Sequence, residues 1–268
     1  MNTLVEIVKE HVSYRSQITR LAKSDMVRAH KGTVLGWFWE LVKPSIRIFV
    51  FWFAFTYGLR GGGPINGYPF FLWLTIGLVP WFGMRDIISG GAKSIMKYSY
   101  LVTKMKFPIS TIPTFVSISK IGINLFLVFA VILLFWALGY PPDIYLLQLP
   151  FYIFCMFTFF TILALFTAPL SAMSKDFHSL VNSFIQPIFW LSGIIWNIEN
   201  IGVHWIQKVL MFNPVTFICT GFRNCFINKV WFFEQPKRLM YFAIITLIVF
   251  VLALISYKKF RKELPDVL

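Results

Sequence analysis

Residues 108–138 contain a single charged side chain, Lys120. A helix crosses the hydrocarbon core of a bilayer with about 20 mostly apolar residues. This run exceeds that length, and comparable runs occupy 146–173 and 239–257. One water-soluble core cannot absorb them all. Soluble domains carry about 25% charged residues, whereas these 268 residues are 57% hydrophobic and 13% charged, with a mean hydropathy of +0.70. In lipid, such a run satisfies its backbone polar groups by coiling into a helix. The expected fold class is therefore all-α integral membrane. Nothing at the charged, amphipathic N-terminus resembles a cleavable signal peptide.

Six spans are expected, at 39–59, 69–86, 108–138, 146–173, 180–196 and 239–257. Pro44 should kink the first, and Gln186-Pro187 marks a kink with polar repair in the fifth. The second should end at Arg85 and Asp86. Residues 60–64 and 139–143 form short outer turns, and 174–178 a tight inner loop. Residues 206–217 are apolar but too short to cross, and Asn213-Pro214 breaks them. Re-entrant half-helices before the last span fit residues 197–236 best, since irregular backbone at membrane depth must be buried in protein or line a cavity. Ahead of the spans, Leu4, Ile7, Val8, Val12, Ile18 and Leu21 recur at helical spacing, with Lys9, Arg15, Arg20 and Lys23 on other faces. Residues 1–31 thus read as an amphipathic interface helix on the inner leaflet, and 32–268 as the transmembrane domain.

The charges set the orientation. Formal net charge is +14, from 25 Lys and Arg against 11 Asp and Glu. Lys and Arg resist translocation and collect in cytoplasmic loops. In the six-span arrangement only Arg60, Lys208, Arg223, Lys229, Lys237 and Arg238 fall outside, while Arg47 and Lys120 lie within spans. Both termini are then cytoplasmic. Topology explains most of the excess, anionic lipid or an anionic substrate comes next, and no nucleic-acid partner is called for.

Residues 90–114 form a basic island with Lys93, Lys97, Lys104 and Lys106 and no acid. Ile95, Tyr98, Leu101 and Val102 recur at helical spacing within it. It reads as an amphipathic inner helix ending near Phe107, because Pro108 disfavours helix in the residue before it. Such a helix is either a lever for a cytosolic partner or a plain interfacial anchor.

The sequence has no GxxxxGK[ST] phosphate-binding loop. His11, His30, His178 and His204 lack metal-ligand spacing, and no carboxylate pair sits inside the membrane. These features argue for a conduit rather than a catalyst. Cys155, Cys219 and Cys225 match no metal or redox spacing and read as buried free thiols. Lys120, twelve residues past Pro108, should lie near mid-membrane, where a Lys costs about 2.5–3.5 kcal/mol on insertion scales. It should face protein or water, with Asn124 one turn on. It is either a positive site on an anionic substrate's path or a hydrogen-bonded or snorkelling residue. Glu40 and Arg47 share one helix face, as an ion-pair network or a substrate contact. Trp37, Trp39, Trp73, Trp81, Trp190, Trp196 and Trp205 cluster toward span ends, where interfacial belts suit most of them and sugar-stacking faces inside a channel suit the remainder.

Five stretches carry a resemblance: HKGTVLGWFWELVKP at 30–44, IGLVPWFGM at 76–84, SYLVTKMKFPISTIP at 99–113, SKDFHSLVNSFIQPIFWLSGIIW at 174–196 and FNPVTFICTGFRN at 212–224. Together, and in this order, the chain resembles the permease subunits of ABC-2-type polysaccharide exporters, which serve teichoic acid, O-antigen and capsule export. It departs from them at Ala29-His30-Lys31, where a Tyr-Arg or Tyr-Lys pair is common, and at Trp196-Asn197, where Tyr-Pro is common. The resemblance implies a homodimer of permease chains with a cytosolic ABC ATPase in two copies that binds ATP and Mg²⁺, this chain holding no cofactor of its own. It implies coupling to that ATPase through Lys97, Tyr98, Ser99, Leu101, Lys104 and Phe107 and through Lys175, Asp176, Phe177 and His178. It also implies that the first and fifth spans line the path, and with Lys120 and Asn124 of the third span the candidate path residues are Arg47, Gln186, Trp37 and Trp39. The expected function is export of a lipid-linked anionic glycopolymer across the bacterial cytoplasmic membrane, with wall teichoic acid preferred. Export of O-antigen, capsule or a small molecule stays open, as do a membrane enzyme acting on lipid-linked sugars and a scaffold without transport activity.

Overall fold

The computed structural model describes residues 3–28, 31–58, 63–105, 107–198, 202–261 and 263–264. Among the described residues, four helices are long and apolar enough to cross a membrane: Phe70–Ala92, Thr111–Ala137, Ile144–Met173 and Pro236–Phe260. They are α4, α7, a 3₁₀ turn running into α8 (Leu149–Met173), and α12. The α4 helix is buried nearly all round, as expected for a helix that is hydrophobic on every side. It packs against α7, α8, α11 (Pro214–Arg223), α3 (Trp39–Phe53) and α9 (Lys175–Trp190). The α12 helix runs along α8 and leaves Met240, Ile244, Leu247, Val251 and Ile255 exposed.

Several expected boundaries move, each for a local reason. The α4 helix does not stop at Arg85-Asp86 but continues to Ala92, because these two charges turn into a polar cavity instead of leaving the bundle. The basic island is not one helix: α5 (Ser94–Lys97) and α6 (Ser99–Thr103) meet at Tyr98, and the Phe107 N–H then donates to the Leu101 carbonyl at 2.9 Å. The α7 helix starts at Thr111, not Pro108. Residues 174–178 are not a loop. The Ser174 hydroxyl accepts from the Phe177 N–H as an N-cap, so α9 begins at Lys175 and is spent by Trp190. The first expected span coincides with α3 and a π-turn, Ala54–Gly58, that extends it. Arg60 and its neighbours, His30, Lys106 and Lys262 lie outside the described residues.

The N-terminal segment is two helices, α1 (Thr3–Ser13) and α2 (Arg15–Arg28), and it is docked rather than free on a surface. Leu4, Val8 and Val12 stay exposed, while Ile18 and Ala22 are buried in a second core with Ile95, Tyr98, Leu101, Val102, Phe115 and Tyr257. Apolar side chains buried this way contribute about 1.5–3 kcal/mol each. Polar contacts fix the register. The Tyr257 hydroxyl donates to Glu10 at 3.1 Å, Ser110 donates to Glu10, His11 meets the Thr114 hydroxyl at 2.8 Å, and Arg261 pairs with Glu6. The N-terminal helices, the 94–107 segment and the end of α12 therefore share one end of the bundle.

The opposite end is closed by short irregular pieces. Gln148 donates to the Val230 carbonyl and accepts from the Phe232 N–H, at 2.9 and 3.0 Å. Lys229 pairs with Asp143 at 2.8 Å. Helices α10 (His204–Met211) and α11 flank the Asn213-Pro214 break. There the Asn213 side chain caps α11 by accepting from the Val215 N–H, and Pro214 takes the first-turn position that needs no donor. Cys155, Cys219 and Cys225 are free and buried.

Candidate functional site

Three helices enclose a polar cavity of about 210 Å³ in the half of the bundle nearer the N-terminal helices. Helix α3 contributes Glu40, Lys43, Pro44 and Arg47, one face at helical spacing; α4 contributes Arg85 and Asp86; α7 contributes Lys120 and Asn124. Four cationic side chains thus meet two carboxylates. Arg85 Nε stands 3.8 Å from Asp86 Oδ1, Lys43 Nζ lies 5.7 Å from the Trp39 ring, and Arg47 Cζ lies 5.8 Å from the Phe82 ring. Charge at membrane depth is costly unless it is paired or wetted, and a roomy polar cavity supplies water and partners together. The excess positive charge suits an anionic group.

The two residues singled out on α7 divide in role. Lys120 sits nine positions into α7, not twelve into a longer helix, and its stem lies against Gly90 near the end of α4. Asn124 is a wall residue. It is buried, its Nδ2 donates to the Val79 carbonyl at 2.9 Å, and its amide covers Gly83 so closely that a Cβ there would stand 2.6 Å from Asn124 Cγ. Gln186 of α9 faces a second cavity, shared with Arg47, Phe82 and Arg85. Arg47 thus borders both spaces. Trp37 and Trp39 are not among the residues lining either one.

The residues expected to couple also divide. Lys104, Lys175 and Asp176 are exposed, and Lys97 is half-exposed. Tyr98, Leu101 and Phe107 are buried inside this chain and shape the surface without forming it. Tyr98 packs edge-on against Phe115 at 4.9 Å, and Phe107 against Tyr14 at 5.3 Å. Ser99 and Phe177 are partly buried. The start of α9 is tied to the end of α4, just ahead of the basic island. Ser89 of α4 donates to Asn182 of α9 at 2.7 Å, and the Asn182 amide reaches His178 Nε2 at 3.0 Å. Burial, and then the nearby Lys93 charge, hold His178 below the ordinary histidine value.

Two buried charges escaped the sequence reading. Asp25 of α2 is 3% exposed, receives Lys97 Nζ at 2.6 Å and accepts from the Tyr98 hydroxyl. Burial opposes its charge, yet the bonds from Lys97 and Tyr98 prevail and bring the carboxyl below its usual value. The available signal was its being the sole acid between Glu10 and Glu40. Arg223, read as an outer-loop cation, is 6% exposed. Its Nη1 donates to the Gly193 carbonyl at 2.8 Å, its Nη2 donates to the Ile194 carbonyl, and its guanidinium lies 3.5 Å from the Trp73 ring centroid. Its signal was an arginine closing an otherwise apolar helix.

The comparisons with known proteins agree with this architecture. A family model described as "ABC-2 type transporter" matches residues 16–227, from α2 through α11 and so across the cavity and both surface pieces. The chain is similar to the O-antigen export system permease protein RfbA of Myxococcus xanthus, at 22% identity over 98% of this chain and 99% of that protein. It is similar also to the O-antigen export system permease protein RfbA of Klebsiella pneumoniae, at 22% identity over 90% of this chain and 91% of that one. A multi-pass helical bundle matched over most of its length makes this chain a member of the ABC-2 type transporter family, as a non-catalytic membrane transport subunit.

Proposed function

We propose that this chain is the permease of an ATP-driven exporter that moves a lipid-linked, anionic polysaccharide across the bacterial cytoplasmic membrane. The observation that carries the reading is the cavity at Arg47, Arg85 and Lys120, where cationic side chains outnumber carboxylates between helices of a transport subunit. A phosphate-linked glycan presents the matching charge. End-to-end similarity to two permeases named for O-antigen export supports a polysaccharide, and a polymer of O-antigen type fits at least as well as wall teichoic acid. In this reading α3 and α9 complete six spans, 204–223 re-enters from outside, and both termini are cytoplasmic. A second copy of the chain covers the exposed Ile46, Phe49, Val50 and Phe53 face of α3. ATP and Mg²⁺ belong to a cytosolic ATPase pair that bears on Lys104, Lys175 and Asp176. Closure of that pair moves α5, α6 and the start of α9, and opens the path beside α3.

Deleting the chain tests the reading. Surface polysaccharide should disappear while lipid-linked polymer accumulates inside the cell. In proteoliposomes, polymer should cross only when the ATPase is present. An unchanged cell surface, or transport without the ATPase, overturns it.

A further inference from the structure

A further cavity lies at the other end of the bundle from the N-terminal helices. It holds about 270 Å³ between the turn after α9, helix α11 and the start of α12. Its polar wall includes Asn66, Thr220, Arg223, Asn224, Asn228 and Gln235. The amides form an oriented relay: Asn66 Nδ2 donates to Asn228 Oδ1 at 2.9 Å, and Asn228 Nδ2 donates to Asn224 Oδ1 at 3.0 Å. Behind them Arg223 uses one N–H on each of two carbonyls and leaves Nε without an acceptor. The result is a preformed cleft with donors and acceptors alternating along one wall, backed by a buried cation.

We propose that this cleft binds a single pyranose residue of a glycan. Small-molecule sites run from roughly 300 Å³ upward, so a cavity of about 270 Å³ takes one ring and not an oligomer. A sugar hydroxyl donates and accepts at once, and vicinal hydroxyls therefore match a row of carboxamides, each of which also does both. The Arg223 guanidinium favours hydroxyl oxygens turned toward it. After the relay is made, Asn228 keeps one N–H and one oxygen lone pair, and a bare anion could answer only the N–H. The assignment rests on the export reading only in making the sugar part of the transported polymer: held here after crossing, one residue of the chain would resist sliding back.

Saturation-transfer NMR on the full chain in lipid nanodiscs, without the ATPase, tests binding apart from transport. The probes are glucose, galactose, mannose, rhamnose and N-acetylglucosamine, with methyl phosphate, whose methyl protons report binding, as the anion control. At least one sugar should receive saturation and methyl phosphate none. Asn228→Ala should weaken that sugar about tenfold, the loss of one well-made hydrogen-bonding group. Thr220→Trp should abolish the signal by filling the cleft, and Lys9→Ala, exposed on α1 at the far end, should leave it intact. Variants are compared only as monodisperse, folded nanodiscs; Asn66→Ala, on the exposed rim, replaces Asn228→Ala if that one fails to fold. No transfer to any sugar, transfer to methyl phosphate alone, or transfer surviving Thr220→Trp overturns the site. Binding with no export defect on deletion would instead refute the proposed function and leave the cleft standing.

Discussion

Lys97 and Asp25 join the segment after α4 to the N-terminal helix α2 through a 2.6 Å ion pair in which the carboxylate is buried and the ammonium half-exposed. The pair also holds Tyr98, whose hydroxyl donates to the same carboxylate oxygen. A depressed carboxyl stabilises the fold in full above its unfolded value and loses that contribution as pH falls through the lower folded value. The stability of the wild-type protein should therefore drop below about pH 3.8, the ordinary aspartate value. Asp25→Asn should be less stable at neutral pH by about 1–3 kcal/mol and show less of the acid-side loss. Thermal melts in nanodiscs from pH 3 to 7 check both; parallel curves for the two proteins would reject the assignment.

Gly83 and Asn124 occupy one space. A Cβ on Gly83 would stand 2.6 Å from Asn124 Cγ, so Gly83→Ala should destabilise by about 1–3 kcal/mol through overpacking. Adding Asn124→Ala removes the obstacle, and the double variant should be more stable than Gly83→Ala alone. Additive losses in the cycle would show that the contact is not the cause.

Lys120→Met should fold, because the ammonium faces a polar cavity and the stem is retained, yet it should abolish export if the ammonium meets the polymer's anionic group. Lys120→Arg should restore part of the flux. Quantifying surface polymer against protein level separates the two effects; normal export by Lys120→Met would remove it from the path.

Lys175→Glu with Lys104→Glu reverses charge on an exposed surface and should change stability by less than about 0.5 kcal/mol. Coupling should fail all the same, seen as ATPase activity that no longer responds to the permease. Retained stimulation would place the contact elsewhere.

Arg223→Met frees two carbonyls and removes a stacked cation. Hydrogen bonds from charged groups contribute about 1.5–3 kcal/mol each, so the loss should reach about 3 kcal/mol or more, with Arg223→Lys recovering only part because an ammonium lacks the planar fork. Equal stability of all three proteins by melting would sink the strut role.

The long helices were readable because α7, α8 and α12 are apolar beyond the length of a crossing. The Asn213-Pro214 break was readable because its two residues have fixed local chemistry, a side-chain cap and a proline without a donor. The errors arose where a charge has two explanations. Arg85-Asp86 looks like a span end and proves to be the lining of a cavity, a fact that depends on α3 and α7. Arg223 and Asp25 look like surface charges, and only the folded chain brings them Gly193 and Ile194, or Lys97 and Tyr98. Arg47 and Lys120 were named individually from their apolar surroundings. That they share one cavity with Lys43 and Arg85 needed three helices in register. The start of α9 was legible in principle, since Ser174 and Asp176 are a cap and a first-turn acid.

Helix α9 opens on exposed Lys175 and Asp176 and finishes at Trp190, just before a turn that α11 grips through Asn213, Thr216 and Arg223. Its two tips therefore answer to different masters, one reachable from water and the other fastened to the half-helix pair. Under the proposed coupling, a tilt imposed at the first tip would pass along this one helix to the second, with Pro187, one turn short of that end, setting where the helix bends.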